Sequence, residues 1–138
     1  MSFATELEGR DDHAAGKALL DRVTHWNQPQ GRLYFMAPLR PNEHPLLGGC
    51  MRAYFLKVEP GGHIHRHTDT ASTICETHLI VVETNDRCFV CWREPKGMER
   101  FMHLEFGKRY RMNDRGLVHW AINGGDTDRV HLVIDYAK

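Results

Sequence analysis

The stretch Pro60-Gly61-Gly62-His63-Ile64-His65-Arg66-His67-Thr68-Asp69 sets three histidines at alternate positions and a carboxylate two residues after the last. A Pro-Gly-Gly turn followed by an alternating run predicts a β-strand, in which side chains at i and i+2 share a face. On that geometry His63, His65, His67 and Asp69 could all look into one cavity, with His63 and His65 expected at its rim rather than as ligands. Imidazole nitrogens and a carboxylate oxygen are a donor set for a divalent transition metal with coordination positions left open. Taken alone, a histidine and an acid on a turn are more often solvated than ligating. The weight therefore falls on what the rest of the chain brings to meet them.

Outward from this stretch the pattern is one of short β segments, at 33–36, 50–58, 77–83, 87–92, 100–106, 109–112, 118–122 and 129–136. Asn85-Asp86, Pro95-Lys96-Gly97, Asn113-Asp114-Arg115-Gly116 and Asn123-Gly124-Gly125-Asp126 punctuate them. About eight short strands after one helical segment predict a mainly β jelly roll or other β-sandwich barrel rather than an α/β wrap. Residues 38–49 carry three prolines and two glycines and read as a loop. Residues 1–30 read as helical. Asp11 or Asp12 caps, Ala15, Leu19, Val23 and Trp26 line one face, and Pro29 and Gly31 end the segment. One domain over 1–138 is expected, with a helical segment at 1–30 and a β core at 31–138.

Composition narrows the function classes. Lysine plus arginine equal aspartate plus glutamate at 18 each in 138 residues, so there is no general field for nucleic acid or an anionic membrane. No apolar run approaches the ~20 residues of a membrane span. The start, Met1-Ser2-Phe3-Ala4-Thr5-Glu6, lacks the basic and apolar regions of a signal peptide. A cytoplasmic protein is expected. Cys50, Cys75, Cys88 and Cys91 read as free thiols, because the Cys88/Cys91 pair sits in a β-rich run with no second pair to complete a zinc site.

A second histidine region, Gly116-Leu117-Val118-His119-Trp120-Ala121-Ile122-Asn123, leads through a Gly-Gly-Asp turn to Arg129-Val130-His131-Leu132-Val133-Ile134-Asp135. A jelly roll brings distant strands to one cavity, so His119 can complete a site begun by His67 and Asp69. Two histidines and one carboxylate form the facial triad of non-haem Fe(II) oxygenases. Arg129, on the strand after His119, would enter the same cavity if that strand folds back. An arginine buried there needs an anion, and a dicarboxylate held bidentately supplies one. The competing expectation is a surface pair with Asp126 or Asp128.

Three patterns together resemble the aspartyl/asparaginyl β-hydroxylase family of 2-oxoglutarate-dependent oxygenases. They are Pro60-Gly61-Gly62-x-Ile64-x-x-His67-x-Asp69, His78-Leu79-Ile80-Val81-Val82-x-Thr84-Asn85, and His119-x-x-x-Asn123 ending in Arg129–Asp135. The resemblance implies a double-stranded β-helix with Fe(II) on His67, Asp69 and His119. It also implies 2-oxoglutarate with its distal carboxylate on Arg129 and its metal-proximal carboxylate near His78. The implied reaction consumes O2 and 2-oxoglutarate, gives succinate, and hydroxylates a small-molecule or peptide substrate: an amino acid, or an Asp, Asn or Pro residue. His78 is otherwise a core histidine on a strand.

Two positions depart from the family pattern. Glu76 stands where an arginine is common, and Leu56 where a serine helps hold 2-oxoglutarate, which leaves the hydroxyl partner of the distal carboxylate open. The alternative is a cupin-type metal enzyme or a non-catalytic binding jelly roll. It would use His65, His67 and His119 with Glu76 as fourth ligand, on a second motif Gly107…Gly116-x-x-His119-x-x-x-Asn123. Arg52, Arg66 and Arg93 are candidates to meet a substrate carboxylate.

Overall fold

The computed structural model describes residues 3–69, 75–114 and 116–138. Arg115 of the expected 113–116 turn, and Met1 and Ser2 of the expected helical segment, lie outside them. Among the described residues the order is β1 (Ala4–Glu6), α1 (His13–Leu20), β2 (Phe35–Leu39), a 3-10 turn (Pro45–Leu47), β3 (Arg52–Val58), β4 (His63–His67), β5 (Cys75–Glu83), β6 (Cys88–Arg93), β7 (Glu99–Met102), β8 (Arg109–Met112), β9 (His119–Asn123) and β10 (Arg129–Ala137). They form a six-stranded sheet ordered β1-β8-β5-β10-β3-β2 and a four-stranded sheet ordered β4-β9-β6-β7. Every strand pairing is antiparallel. This is the mainly β double-stranded β-helix that the resemblance implies, one of the β-sandwich architectures that the strand pattern predicts.

β10 is central to the larger sheet and buried from Arg129 to Asp135. Its alternation decides which side chains reach the site. Val130, Leu132 and Ile134 face outward into a core with Leu19, Phe55, Ile80 and Val82. Burying aliphatic and aromatic side chains of this size contributes about 1.5–3 kcal/mol each. Arg129, His131, Val133 and Asp135 face the space between the sheets. A cluster of Phe3, Leu79, Val81, Val90, Trp92, Leu104, Tyr110 and Val133 fills part of that space.

Two expectations need correction. Residues 1–30 are not one helical segment: 4–6 form an edge strand on β8, and the helix covers only His13–Leu20. The helix ends at Leu20, and beyond it Asn27 and Met36 exchange backbone hydrogen bonds at 2.8 Å that draw the chain into the sheet edge. Asp12 is the N-cap residue, yet its carboxylate makes no cap bond, meeting Arg109 Nη1 at 2.9 Å and Arg10 Nη2 at 3.1 Å instead. Val23 and Trp26 still pack on the core, from irregular chain. α1 lies close on the sheet because Gly16 has no side chain. A Cβ there would stand 3.3 Å from Val82 Cγ2.

The second correction concerns β4. Its pairing with β9 shifts register between Ile64 and His67. The extra residue of a bulge breaks the i, i+2 rule. Ile64 and His67 line the cavity, whereas His63 and His65 do not.

Candidate active site

His67 and His119 are cross-strand partners on β4 and β9, with ring centroids 4.2 Å apart. His67 Nδ1 donates to the His65 carbonyl at 2.6 Å, and His119 Nδ1 donates to the Leu117 carbonyl at 2.9 Å. A carbonyl only accepts, so both Nδ1 atoms carry protons and both Nε2 atoms present lone pairs. Asp69 Oδ2 stands 3.0 Å from His119 Nε2, and Asp69 Oδ1 stands 3.5 Å from His67 Nε2. Donors about 2.1 Å from one ion and at right angles are roughly 3 Å apart. The three donor atoms fall within 4.8 Å of one another.

Three converging acceptors call for a positive charge. His119 shows it: burial pushes its pKa down, but the Asp69 carboxylate and the Leu117 carbonyl outweigh burial and raise it. The same contact with His119 holds the Asp69 carboxyl below its usual range, against burial. A proton or a metal ion fits between them, and the donor set suits Fe(II) with open positions.

The triad opens on a cavity of about 160 Å³ whose other wall is β10 and β3. Arg129 lines it and is 3% exposed. Burial lowers its pKa to about 10, so the guanidinium is still charged at neutral pH. Arg129 Nη2 donates to His131 Nδ1 at 2.8 Å, and the buried Nη1 has no partner among the described residues. Asp126 and Asp128 form no ion pair with it among the described residues, so the surface-pair expectation is not met. A buried cation that pairs with no carboxylate among the described residues is a site for an anionic ligand.

Asn123 fixes where β10 starts. Its Nδ2 donates to the carbonyls of Val58 (2.8 Å) and Thr127 (2.9 Å), and its Oδ1 accepts from Gly125 N (3.0 Å) and Asn85 Nδ2 (3.1 Å). The Pro-Gly-Gly turn joins the same knot, since Gly61 N donates to the Asn123 carbonyl at 2.9 Å. One residue, through its side chain and its carbonyl, thus ties the turn before the triad to the turn before Arg129. Asn123→Ala is expected to lower unfolding free energy by about 1–3 kcal/mol, the cost of leaving buried partners unpaired. Urea unfolding measures it.

His78 requires a correction. On β5 the cavity-facing residues are Thr77 and Leu79, and strand alternation turns His78 to the opposite face. Its Nε2 meets Glu76 Oε2 at 2.8 Å, and its Nδ1 accepts from Arg109 Nε (3.1 Å) and Nη2 (2.8 Å). The ring is committed to a buried polar network behind the sheet and does not line the cavity.

Sequence reasoning missed a cluster on the cavity face. Asp135 Oδ2 accepts from Arg52 Nε (2.9 Å) and Nη2 (2.6 Å), while Thr77 Oγ1 donates to Asp135 Oδ1 at 2.6 Å. Beside them the Tyr54 phenol is pushed up to about 12 by burial and by Asp135. The available signal was parity: 52, 54 and 56 on β3 and 129, 131, 133 and 135 on β10 share the inner face. Of the three arginines considered for a substrate carboxylate, only Arg52 lines the cavity. Arg66 and Arg93 both pair with Glu99.

The alternative donor set does not assemble among the described residues. His65 stacks on Tyr34, with centroids 6.0 Å apart and planes at 17°, and lies outside the group that could hold a metal. Glu76 is spent on His78. All four cysteines are free thiols.

His131 is 2% exposed, and its pKa lies well below the ordinary value because of burial and then Arg129. A group with a depressed folded pKa takes up its proton in the unfolded chain first. The unfolded state then binds more protons below about pH 6.5, and stability falls as pH falls from there. The expected slope from this group approaches ~1.4 kcal/mol per pH unit, and urea unfolding of wild type and His131→Gln between pH 7.5 and 5.5 would show it as a difference.

Fold and donor set together define a class: a double-stranded β-helix with a His/Asp/His metal-binding triad on its inner face, as in Fe(II) oxygenases. The model of the aspartyl/asparaginyl β-hydroxylase family matches residues 42–138, and the chain belongs to that family. No curated protein matches the sequence. Among solved structures, a 2OG-Fe(II) oxygenase family oxidoreductase from Burkholderia pseudomallei is similar with a TM-score of 0.75 at 12% identity, over 98% of this chain and 84% of that one. HygX from Streptomyces hygroscopicus, solved with nickel and 2-oxoglutarate bound, gives 0.75 at 10% identity, over 99% and 83%. Oxalate decarboxylase from Lactobacillus farciminis gives 0.59 at 15% identity, over 83% of this chain but 31% of that one. At these identities the likeness is one of fold.

Proposed function

We propose that this protein is an Fe(II)- and 2-oxoglutarate-dependent hydroxylase acting on an amino acid or on an Asp, Asn or Pro residue of a peptide. The observation that carries it is Arg129. It is a fully buried, charged guanidinium with an unpartnered Nη1, in the same cavity as three converging metal donors. A 2-oxo dicarboxylate answers both demands with one molecule, its oxo-acid end toward the triad and its far carboxylate on Arg129.

His67, Asp69 and His119 would hold the iron, which when bound supplies the oxidising chemistry with O2. The chain's own part is to bind and orient. The carbonyls of His65 and Leu117 keep both Nε2 atoms turned to the metal position, and Arg129 sets the direction of the cosubstrate. Val133, Leu79 and Ile64 line the cavity and limit water around the reacting groups. Charge balance near zero fits a small or peptide substrate rather than nucleic acid or membrane, and among the described residues no helix is long and apolar enough to cross a membrane.

The test is Fe(II)-dependent conversion of 2-oxoglutarate to succinate under O2. Turnover is expected in the wild type and in His65→Ala. Absence of both turnover and anaerobic 2-oxoglutarate binding in the wild type sinks the proposal. Loss of metal binding in His65→Ala but not in Asp69→Ala would support the cupin set instead.

A further inference from the structure

We infer that His131 is the second donor to the distal carboxylate of 2-oxoglutarate, acting beside Arg129 through its Nε2–H. Its role presupposes the cosubstrate proposed above. Arg129 and His131 stand two residues apart on the inner face of β10, and both line the cavity. Arg129 Nη2 lies 2.8 Å from His131 Nδ1. A guanidinium only donates, so Nδ1 must be the acceptor, and the proton of the neutral ring is then on Nε2. Burial and the adjacent arginine keep the ring neutral. The tautomer is thereby fixed, and a cavity-lining imidazole is left with one N–H to donate.

The need for that donor follows from the neighbours. A carboxylate has two oxygens and about four acceptor sites, while Arg129 has already committed one terminal nitrogen to His131. Directly across from His131 on β3 is Leu56, which also lines the cavity and offers no donor. Thr77 spends its hydroxyl on Asp135. Among the described residues His131 is the polar side chain in direct contact with Arg129. The arginine orients the ring, and the ring and the free Nη1 together receive the anion.

The cross-strand pairing of 56 with 131 supplies a test that a purely structural role would not pass. Anaerobic calorimetric titration of the Fe(II)-loaded protein is compared for 2-oxoglutarate and for 2-oxopentanoate, which lacks the distal carboxylate. His131→Leu is expected to weaken 2-oxoglutarate by about 10- to 100-fold, the range of a hydrogen bond to a charged group, and to leave 2-oxopentanoate within about twofold. His131→Gln, which can accept from Arg129 and still donate, should stay within about fivefold of wild type for both. Leu56→Ser added to His131→Leu should recover most of the lost affinity for 2-oxoglutarate alone.

Equal loss for both ligands, or no loss for 2-oxoglutarate, overturns the role of His131. A wild type that binds no 2-oxoglutarate removes the cosubstrate proposal and this role with it. If His131→Leu does not fold, nitrogen-15 spectra of the Zn(II)-loaded wild type decide the matter. The His131 Nε2–H resonance is expected to move when 2-oxoglutarate binds and not when 2-oxopentanoate does, and an unmoved resonance with 2-oxoglutarate bound overturns it.

Discussion

Asp69→Ala is expected to abolish Fe(II)-dependent turnover and to weaken metal binding by more than about 100-fold, beyond the 10- to 100-fold typical of groups that only support ligands. Asp69 is the sole anionic donor of the triad. Without it, His67 and His119 offer two neutral nitrogens, too few to retain a hard divalent ion against water. The fold should survive, because the Asp69 side chain is half exposed and exposed ion pairs contribute little. The variant should therefore melt close to the metal-free wild type while failing to gain stability from added metal. Fe(II) titration with succinate assay measures the first effect, and thermal melts with and without metal measure the second. A variant that keeps wild-type metal affinity would exclude Asp69 as a ligand.

The second large effect separates ligand binding from stability. Arg129→Met should cost about 2–5 kcal/mol in 2-oxoglutarate binding, since it removes one partner of a buried charge pair. It should not destabilise the ligand-free protein and is expected to stabilise it by up to ~4 kcal/mol. The reason is the unpartnered Nη1: without an anion, folding leaves a desolvated cation with one imidazole for company. Methionine fills much of the same volume without that penalty. Added 2-oxoglutarate at a hundred times its Kd should stabilise the wild type by about 2.7 kcal/mol and the variant by far less. Urea unfolding of both proteins, with and without 2-oxoglutarate, tests the two halves together. Destabilisation of the ligand-free variant comparable to loss of a core side chain would mean that Arg129 is satisfied in a way its neighbours do not show.

Much of the fold was legible because its signals are local. Strand 109–112 was placed to the residue, and 50–58, 77–83, 118–122 and 129–136 within two residues at each end, since alternation and turn residues act over a few positions. The helical reading of 1–30 failed for a non-local reason. Apolar residues spaced for one helix face are also what irregular chain needs when it crosses a sheet. Asp12 was read as a cap, but Arg109 lies in the three-dimensional neighbourhood and takes its carboxylate. His67, Asp69 and His119 were picked out together and do converge in space. Simple strand parity fails for His63 and His65, because the bulge after Ile64 is a property of the β4–β9 pairing and not of β4 alone. His78 shows the same limit: a motif position does not say which face of β5 a side chain takes.

What the sequence determined by itself was the jelly roll, the triad and the presence of an arginine at the start of the last strand. Turn chemistry, alternation and ligand type are written residue by residue. What only the tertiary structure decided was who stands beside whom. Among the described residues it left Arg129 without a paired carboxylate, set His131 against Leu56 with its tautomer fixed, and kept His63, His65 and His78 out of the cavity lining. Those outcomes depend on register between strands distant in the chain, and a one-residue shift sends every side chain of a strand to the other face.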